Sequence, residues 1–484
     1  MPQPSAQGAP NVDGALGMAR SGASLAVTPK DELLLVADED NQVLRVVPLP
    51  LGTGAVRDMA LPGRPAQVAT DGEHVWVTVR APSMLWVGRI SSGEVSELAR
   101  VALPVDAWGL AISADGKRAI VTSAWAAQVS FIDLQRAALR WSRPVSREPR
   151  GVALTRDGST AYLTHLVGSH VTRIGLDDAR AAQLALPPAP LRARGRVLSA
   201  SLGYAGVLSP DGARFFAARH ALGAPGKNAW FGAATVDVLG LERPEPVLDT
   251  PPTKRPELKS ELAQTLLSGA DTALVGQTLT PFTQPRAVVY RRSTNTLLVA
   301  GEGDDRIVEL DALAPDPTLA ALAAYRVGEE YHAEIHVAAR GAAPSGLALS
   351  SDEHKLWVYC RGSSDLAEVA LRTPGEPPAP TRVTARLDLG EDPLGKGGST
   401  GRKLFYAARD FPVSGGLGCA GCHPEGRDDG YVWHEATFTT EDGETTNFVG
   451  IADNIPPEAH ARGFARRTPM LAGRVNPVGP YGWH

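Results

Sequence analysis

Features that define several other classes of protein are scarce in this sequence. Its 48 basic and 53 acidic residues are spread without long blocks and give a net charge of −5, so it lacks the clustered Lys and Arg of a nucleic-acid surface. It has no run of about 18 apolar residues, the length that a membrane-spanning helix needs. The sequence therefore predicts neither a nucleic-acid partner nor a transmembrane segment.

The N-terminus also lacks a recognisable export signal. Its first residues have no basic start followed by an apolar core, so no signal peptide is visible. The small and polar residues there predict a disordered leader over residues 1–22. Either the protein is cytoplasmic, or an export signal has been lost from this version of the chain.

Long apolar helical runs are missing too, whereas glycine and proline are abundant. The 484 residues include 50 Gly and 39 Pro, and 43% of the chain is apolar. That balance favours many short strands joined by turns around a large core. The predicted fold class is mainly β.

One phrase recurs along the chain: apolar, small, apolar, Ser or Thr, any residue, Asp-Gly, two further residues and an apolar run. In the first four copies the Ser/Thr positions are Thr28, Thr70, Ser113 and Thr155. Their spacing of about 42 residues is the period of a four-stranded propeller blade. Later copies begin at Gly206, Ala287 and Gly346. The seven copies predict a seven-bladed β-propeller over residues 23–390, with an insertion near residues 220–283.

Each phrase is interpreted as a strand, a tight turn whose Asp-Gly supplies the positive φ, and a second strand. A third strand is expected in phrases such as QVSFIDL and RIVELDA. The repeats resemble the YVTN-type propellers of bacterial surface and periplasmic proteins over about residues 20–385. That resemblance implies a fold and no particular activity, because propellers have many unrelated functions.

The composition changes after the last repeat, where residues 391–484 form a second predicted domain. A helix is expected from Thr400 to about Arg409, and the sequence Cys419-Ala420-Gly421-Cys422-His423 follows it. Two thiols separated by two residues can reach the two vinyl groups of one porphyrin, and a histidine after the second thiol can ligate the iron. The pattern predicts one covalently bound haem c per chain, attached through Cys419 and Cys422 with His423 as proximal ligand.

Three alternative roles for the paired cysteines fit less well. A structural zinc site needs a second Cys or His pair, and no cysteine follows Cys422. A redox CxxC motif normally follows a strand at a helix start in an α/β pattern, which this region lacks. A chance match in a loop is the third alternative. The remaining cysteine, Cys360, lies in a predicted strand and is assigned no function.

The sequence around the motif resembles the di-haem cytochrome c peroxidase family and its propeller-fused relatives. The similarity is carried by CHPEGRDDGYVW, RRTPMLAGR and PYGWH, over about residues 398–484. It implies a small α-helical cytochrome c-like domain. The family has two haem motifs and this chain has one, so the sequence predicts an incomplete domain, truncated before a second haem.

The sixth iron ligand is left open between several residues. Met470 is the only methionine after the motif, and a distal methionine is common in cytochromes c. The resemblance to the peroxidases favours a histidine instead, either His434 or His460. Further histidines that are not excluded lie at the C-terminus and in the repeats: His484, His165, His170 and His220.

Two functions from different classes follow. The first is a haem c electron-transfer protein, with peroxidase-like oxidoreductase activity as an extension and the propeller as docking platform. Its partners would be a redox protein or a small electron acceptor such as hydrogen peroxide. The alternative is a propeller that binds or scaffolds, with a degenerate or truncated haem module. Covalent haem c is made outside the bacterial cytoplasmic membrane, so a periplasmic or extracellular location is expected despite the missing signal. A propeller enzyme with a second cofactor in its channel, like the haem-containing nitrite reductases, has no sequence signature here.

Overall fold

The repeated phrase folds as a strand, a tight turn and a second strand. In the third copy the Ser113 hydroxyl donates to the Asp115 carboxylate (2.6 Å), and the Arg118 amide donates to the Ser113 hydroxyl (3.0 Å). Gly116 has a φ of 68°, a conformation that glycine adopts without steric cost. The copies at Thr155 and Ser209 make the same contacts around their own Asp-Gly pairs, so the predicted turn chemistry is confirmed.

The computed structural model describes residues 20–186, 200–222, 233–241, 282–328, 331–332, 337–338, 341–373, 383–408, 418–429, 431–439, 445–451, 460–468 and 471. The strands of the first half of the chain are β1 (Ser21–Ala23), β2 (Leu25–Val27), β3 (Leu33–Asp38), β4 (Val43–Pro48), β5 (Arg57–Ala60), β6 (Pro65–Thr70), β7 (His74–Val79), β8 (Met84–Ser91), β9 (Glu94–Ala102), β10 (Ala107–Ile112), β11 (Arg118–Ser123), β12 (Gln128–Asp133), β13 (Ala138–Pro144), β14 (Pro149–Leu154), β15 (Thr160–His165), β16 (His170–Gly175) and β17 (Ala181–Ala185).

The strands of the second half are β18 (Ala200–Leu208), β19 (Arg214–Leu222), β20 (Ala233–Gly240), β21 (Pro285–Arg291), β22 (Thr296–Gly301), β23 (Arg306–Asp311), β24 (Ala321–Arg326), β25 (Tyr331–His332), β26 (Val337–Ala338), β27 (Pro344–Leu349), β28 (Lys355–Cys360), β29 (Asp365–Ala370), β30 (Val383–Asp388), β31 (Val432–Thr439), β32 (Thr445–Ile451) and β33 (His460–Arg467). The helices are α1 (Gly395–Tyr406) and α2 (Cys419–Cys422), with 3-10 turns at Pro317–Leu319 and Pro424–Gly426.

The strands form antiparallel sheets in which sequence neighbours pair. Four-stranded sheets run β6 to β9, β10 to β13, β14 to β17 and β21 to β24, and β18 to β20 form a three-stranded sheet. A continuous sheet in the order β30-β29-β28-β27-β1-β2-β3-β4-β5 joins the last repeat to the first. The third strands predicted in QVSFIDL and RIVELDA are β12 and β23.

The first strands of the sheets lie side by side. Each first strand contacts the next one in the series β2, β6, β10, β14, β18, β21 and β27, and β27 in turn contacts β2. The core lies between neighbouring sheets. Trp76 and Leu85 of one sheet, for example, pack against Val121 and Ile132 of the next. Full burial of one aliphatic side chain such as Leu85 stabilises the fold by about 1.5–3 kcal/mol. Each sheet needs its neighbours to cover its apolar faces.

Two expectations about boundaries are corrected. The predicted leader ends too late, because Ser21 and Gly22 belong to β1 and pair with β27 and β2. The region predicted as an insertion contains β20, which is an ordinary third strand paired with β19. Residues 1–19, 223–232 and 242–281, which cover most of the predicted leader and of the predicted insertion, lie outside the described residues.

The C-terminal region departs from the helical domain that was expected. α1 begins five positions before the predicted start at Thr400, because the Asp392 side chain organises the turn before it by accepting from the Leu394 amide. After the short α2, the chain forms a three-stranded antiparallel sheet in the order β32-β31-β33. No helix in the described part of the chain is long and apolar enough to cross a membrane.

Candidate functional site

The paired cysteines lie on a single helical turn. α2 consists of Cys419 to Cys422, and the His423 amide closes it by donating to the Cys419 carbonyl (2.8 Å). Residues three apart on a helix lie on the same side. Neither thiol is in a disulfide, and Cys419 is exposed while Cys422 is half-buried.

α2 is fixed to both α1 and the sheets. The Gly418 amide donates to the Gln284 side-chain oxygen, and the Gln284 nitrogen donates to the Tyr406 carbonyl (3.4 Å). Ala420 packs against Tyr406 in a small apolar cluster. A Cβ on Gly418 would lie 2.7 Å from the Tyr406 carbonyl oxygen, so only glycine allows this close approach. Contacts within the protein alone therefore fix the position of the motif.

The chemistry of the donor set fits haem c. Two unpaired thiols and an imidazole follow one another within five residues, as thioether attachment and axial ligation require. Burial raises the pKa of both thiols, and at Cys422 the nearby Asp429 carboxylate adds to the increase. Both thiols are consequently protonated at neutral pH. Among the described residues, no group of three or more His, Cys, Asp and Glu could hold a metal ion by itself.

The structure describes only some of the candidates for the sixth iron ligand. Met470 and His484 lie outside the described residues. His434 is on β31 and His460 begins β33, where it is opposite Thr437. The positions that flank Met470 can be placed: the Thr468 hydroxyl donates to the Asp429 carboxylate (2.8 Å), and the Leu471 amide donates to the Gly426 carbonyl (2.7 Å). The described positions on either side of Met470 in the sequence therefore contact residues just after His423.

Histidines of the sheets form a separate pair. The rings of His165 and His170 have centroids 4.6 Å apart, and His165 Nε2 lies 2.7 Å from the Thr172 hydroxyl. Burial, with a contribution from His170, lowers the pKa of His165 to about 4. The Gly168 amide between them donates to the Tyr431 hydroxyl (2.7 Å), which links this hairpin to the C-terminal region. His220 is a buried residue of β19.

The residues immediately after the haem motif reach into a cluster of arginines at the centre of the sheets. The Glu425 carboxylate lies 2.9 Å from Arg150, 3.0 Å from Arg286 and 3.6 Å from Arg427. We call Arg80, Arg150, Arg286 and Arg427 the arginine cluster. Burial would raise the pKa of Glu425, but these four arginines outweigh it and hold that pKa well below its usual range. Glu425 is thus a buried carboxylate anion.

Glu425 adopts a strained backbone to make these contacts. Its φ of 51° and ψ of 33° lie in the left-handed region, which costs a residue with a Cβ about 1–2 kcal/mol. Ion pairs with buried guanidinium groups offset this strain, so the conformation depends on the arginines of the sheets.

Aromatic rings stack on the arginines of the cluster. The guanidinium of Arg150 lies 4.1 Å from the ring centre of Trp108, and that of Arg286 lies 4.0 Å from the ring centre of Tyr204. The guanidinium of Arg80 also lies near this indole, 4.4 Å from the ring centre of Trp108. Arginine–aromatic stacking that is shielded from water contributes about 2 kcal/mol and fixes the planes of the guanidinium groups.

Further ion pairs connect the cluster to the C-terminal region. Arg427 contacts Asp106 (2.8 Å) and Glu148 (3.3 Å), which also pair with Arg80 and Arg150. A second series leads to α1, where Arg402 contacts Asp40 (2.9 Å) and Asp392 (2.8 Å), and Asp40 contacts Arg361 (3.0 Å). The haem motif is therefore joined to the sheets by charged contacts on two sides.

Sequence reasoning missed the arginine cluster, although its position in the repeat was visible. Ala66, Trp108 and Arg150 occupy the same place, one residue into the first strand of successive repeats, and are 42 positions apart. Arg286 lies one residue into β21, and Tyr204 lies five positions before Ser209, as Arg150 does before Thr155. Because the residue type at this position differs from repeat to repeat, a search for recurring residues does not find it.

Comparisons with known proteins bear on the fold. No protein-family model matches this chain, and no curated protein matches it. Among solved structures, hydrazine synthase from Kuenenia stuttgartiensis is similar with 16% identity and a TM-score of 0.53, over 72% of this chain and 94% of that one. Virginiamycin B lyase from Staphylococcus aureus is 13% identical with a TM-score of 0.47, over 71% and 92% of the two chains. The likeness to hydrazine synthase shows that this chain has a mainly β, propeller-like fold.

Proposed function

We propose that this protein is a haem c electron-transfer protein in which a seven-bladed propeller positions the haem motif. The observation that carries the proposal is the placement of Cys419, Cys422 and His423. Two unpaired thiols on one helical turn and an adjacent imidazole are anchored to the sheets from both sides. The seven first strands in contact with one another support the seven-blade assignment.

Each residue of the motif has a distinct part in holding the group. Cys419 and Cys422 would each add their thiol across one vinyl double bond, with the hydrogen passing to the vinyl carbon, so that no leaving group is needed. His423 would ligate the iron. Haem c bound in this way supplies one-electron chemistry. Glu425 and Gln284 act on the protein side by fixing the two ends of the segment that contains the motif.

We favour Met470 as sixth ligand over His434 and His460. Thr468 and Leu471 contact Asp429 and Gly426, which lie in the segment that follows His423. Met470 lies between these two contacting residues in the sequence. Two protein ligands suit electron transfer, whereas peroxide reduction needs a position that is open or can be opened. Peroxidase-like activity therefore remains an extension of the proposal.

Covalent attachment of haem c also has consequences for the location of the protein and for its partners. Because haem c is attached outside the bacterial cytoplasmic membrane, the proposed location is periplasmic or extracellular. The partner would be a redox protein or a small electron acceptor, with hydrogen peroxide as one example. The charged contacts that join the motif to the sheets support the role of the propeller as a rigid platform.

A second function is favoured by one specific observation. A three-stranded sheet follows the motif where a helical cytochrome domain was expected. This suits a propeller that binds or scaffolds, with a degenerate or truncated haem module. The two functions differ in whether the iron exchanges electrons with a partner.

The test is a visible spectrum in both redox states after expression with the haem c maturation machinery. The wild type should retain a c-type spectrum under denaturing conditions, and Cys419→Ala/Cys422→Ala should lose it. Cys360→Ala is the matched control, because Cys360 lies on β28, far along the chain from the motif. A bound haem that no donor or acceptor reduces or oxidises would favour the scaffold function. A wild type without covalent haem would refute the electron-transfer proposal.

A further inference from the structure

A large cavity lies among the first strands, away from the haem motif. It has a volume of about 500 Å³ and opens to solvent. Its walls are the later residues of the first strands, such as Leu110, Val152 and Val207, together with the turns that follow them. Glu425, by contrast, contacts Arg150 and Arg286 near the beginning of their strands. We call this space the channel cavity.

We propose that the channel cavity binds a small organic anion, a carboxylate with an apolar body. Nothing in the haem motif requires such a site, so the proposal is independent of the electron-transfer function. It rests on three features of the cavity: its mouth is cationic, its walls combine small apolar side chains with free backbone edges, and its inner end holds polar groups.

The mouth of the cavity has two exposed arginines. Arg156 follows β14 and Arg292 follows β21, and both line the opening. Within the described part of the chain, neither guanidinium has a carboxylate partner. The one acidic residue of the lining, Asp211, is engaged by the Ser209 hydroxyl and the Ala213 amide of its own turn. Two unneutralised guanidinium groups at one opening attract an anion and match the geometry of a carboxylate.

The walls can accommodate an apolar body. Side chains such as Ala69, Ala111 and Ala153 are small, and Val68 and Leu110 add apolar surface. β10 and β14 are the first strands of their sheets, so one edge of each has no strand partner. The Leu110, Gly109 and Gly151 amides are already bonded to side chains. Other backbone N–H and C=O groups along these edges can bond to polar atoms of a ligand. Such a mixed lining is typical of small-molecule sites.

The inner end of the cavity is polar. Tyr204 and Gln67 line it. The described residues give the Tyr204 hydroxyl no hydrogen-bond partner, whereas the Gln67 oxygen accepts from the Leu110 amide (2.9 Å). A phenolic O–H and an amide NH₂ are thus available as donors at this end. They would bind an acceptor group of the ligand, such as a hydroxyl or carbonyl oxygen, at the opposite end from its carboxylate.

The test uses isothermal titration calorimetry on the full-length protein with 1-naphthoate as anionic probe and 1-naphthalenemethanol as its neutral counterpart. One naphthoate should bind per chain, at least tenfold more tightly than the alcohol. Arg156→Ala/Arg292→Ala should weaken naphthoate binding at least tenfold and leave binding of the alcohol unchanged. Arg140→Ala, an exposed arginine on the outer strand β13, is the matched control and should bind as the wild type does.

A second variant tests the location. Ala153→Trp fills the cavity from its wall and should abolish binding of both probes, provided that thermal unfolding shows a folded protein. If that variant does not fold, the binding data for Arg156→Ala/Arg292→Ala decide whether the proposal holds. Both arginine side chains are exposed, so their removal leaves the core intact. Equal affinity for the two probes, or no effect of the arginine pair, would overturn the proposal. The affinities for the two probes do not depend on haem. Failure of this proposal can therefore be distinguished from failure of the electron-transfer proposal.

Discussion

The carboxylate of Glu425 lies 2.9 Å from the guanidinium of Arg150, a side chain with no solvent exposure. This contact joins the residue two positions after the haem-ligand candidate His423 to the first strand of a distant repeat. The sheets of the repeats and the segment that follows the paired cysteines therefore share one buried ion-pair cluster. The stability of the motif should depend on residues that lie far from it in sequence.

Glu425→Gln should destabilise the protein substantially. Removing one charge from a buried ion-pair cluster costs about 3–5 kcal/mol. Here Arg150 and Arg286 would each lose one of two carboxylate partners and keep Glu148 and Glu302, respectively. The free energy of unfolding from urea denaturation measures the effect. Glu73→Gln, which breaks the exposed pair with Arg89, is the control and should leave the midpoint nearly unchanged. Equal effects of the two substitutions would contradict the ion-pair account.

The contribution of Glu425 should also depend on pH. Its pKa is held below the ordinary value of 4.5 in the folded chain, so the folded state binds fewer protons than the unfolded state below that pH. The stabilisation is complete above pH 4.5 and is lost as the pH falls toward the folded-state pKa. The difference in unfolding free energy between wild type and Glu425→Gln should be constant from about pH 6 to 8 and shrink below pH 4.5. A difference that grows with acidity would argue against it.

The three cysteines should react with iodoacetamide in a fixed order in the haem-free protein. Thiolates are the reactive form, and burial raises the pKa of Cys419, Cys422 and Cys360. Cys419 is exposed and should be labelled first, Cys422 should follow, and the buried Cys360 should react only on unfolding. Peptide mapping by mass spectrometry gives the order. Early labelling of Cys360 would show that β28 does not bury it.

Replacement of the sixth ligand should change the spin state of the iron. Met470→Ala should convert a low-spin spectrum to a high-spin one, while His434→Ala and His460→Ala should leave it low-spin. The three variants serve as controls for one another because each removes one candidate ligand. A high-spin spectrum in either histidine variant alone would transfer the assignment from Met470 to that histidine.

Much of the fold follows from local sequence. The turn at Ser113 and Asp115 was predictable because its hydroxyl, carboxylate and glycine are all set within four residues. The boundaries of β1 and β20 were not, because each is defined by pairing with a strand and not by its own composition. Ser21 becomes part of a strand only through β27, far along the chain.

The candidate site could be proposed from the sequence in part for the same reason, and its function stays a prediction. Cys419, Cys422 and His423 are recognisable because their chemistry depends on spacing within five residues. Glu425 and the arginine cluster come together only when the repeats are assembled around a common centre. The sheet after the motif has a local indication in the sequence, because VWHEATFT, which forms β31, is rich in the β-branched and aromatic residues that favour strands.

The intact mass of the protein under denaturing conditions tests the central claim most directly. After expression with the haem c maturation machinery, the wild type should be heavier than its sequence mass by one haem. The added mass should map to the peptide that contains Cys419 and Cys422. A wild type whose denatured mass equals that of the bare polypeptide, under conditions in which a control cytochrome c is fully matured, would contradict the account.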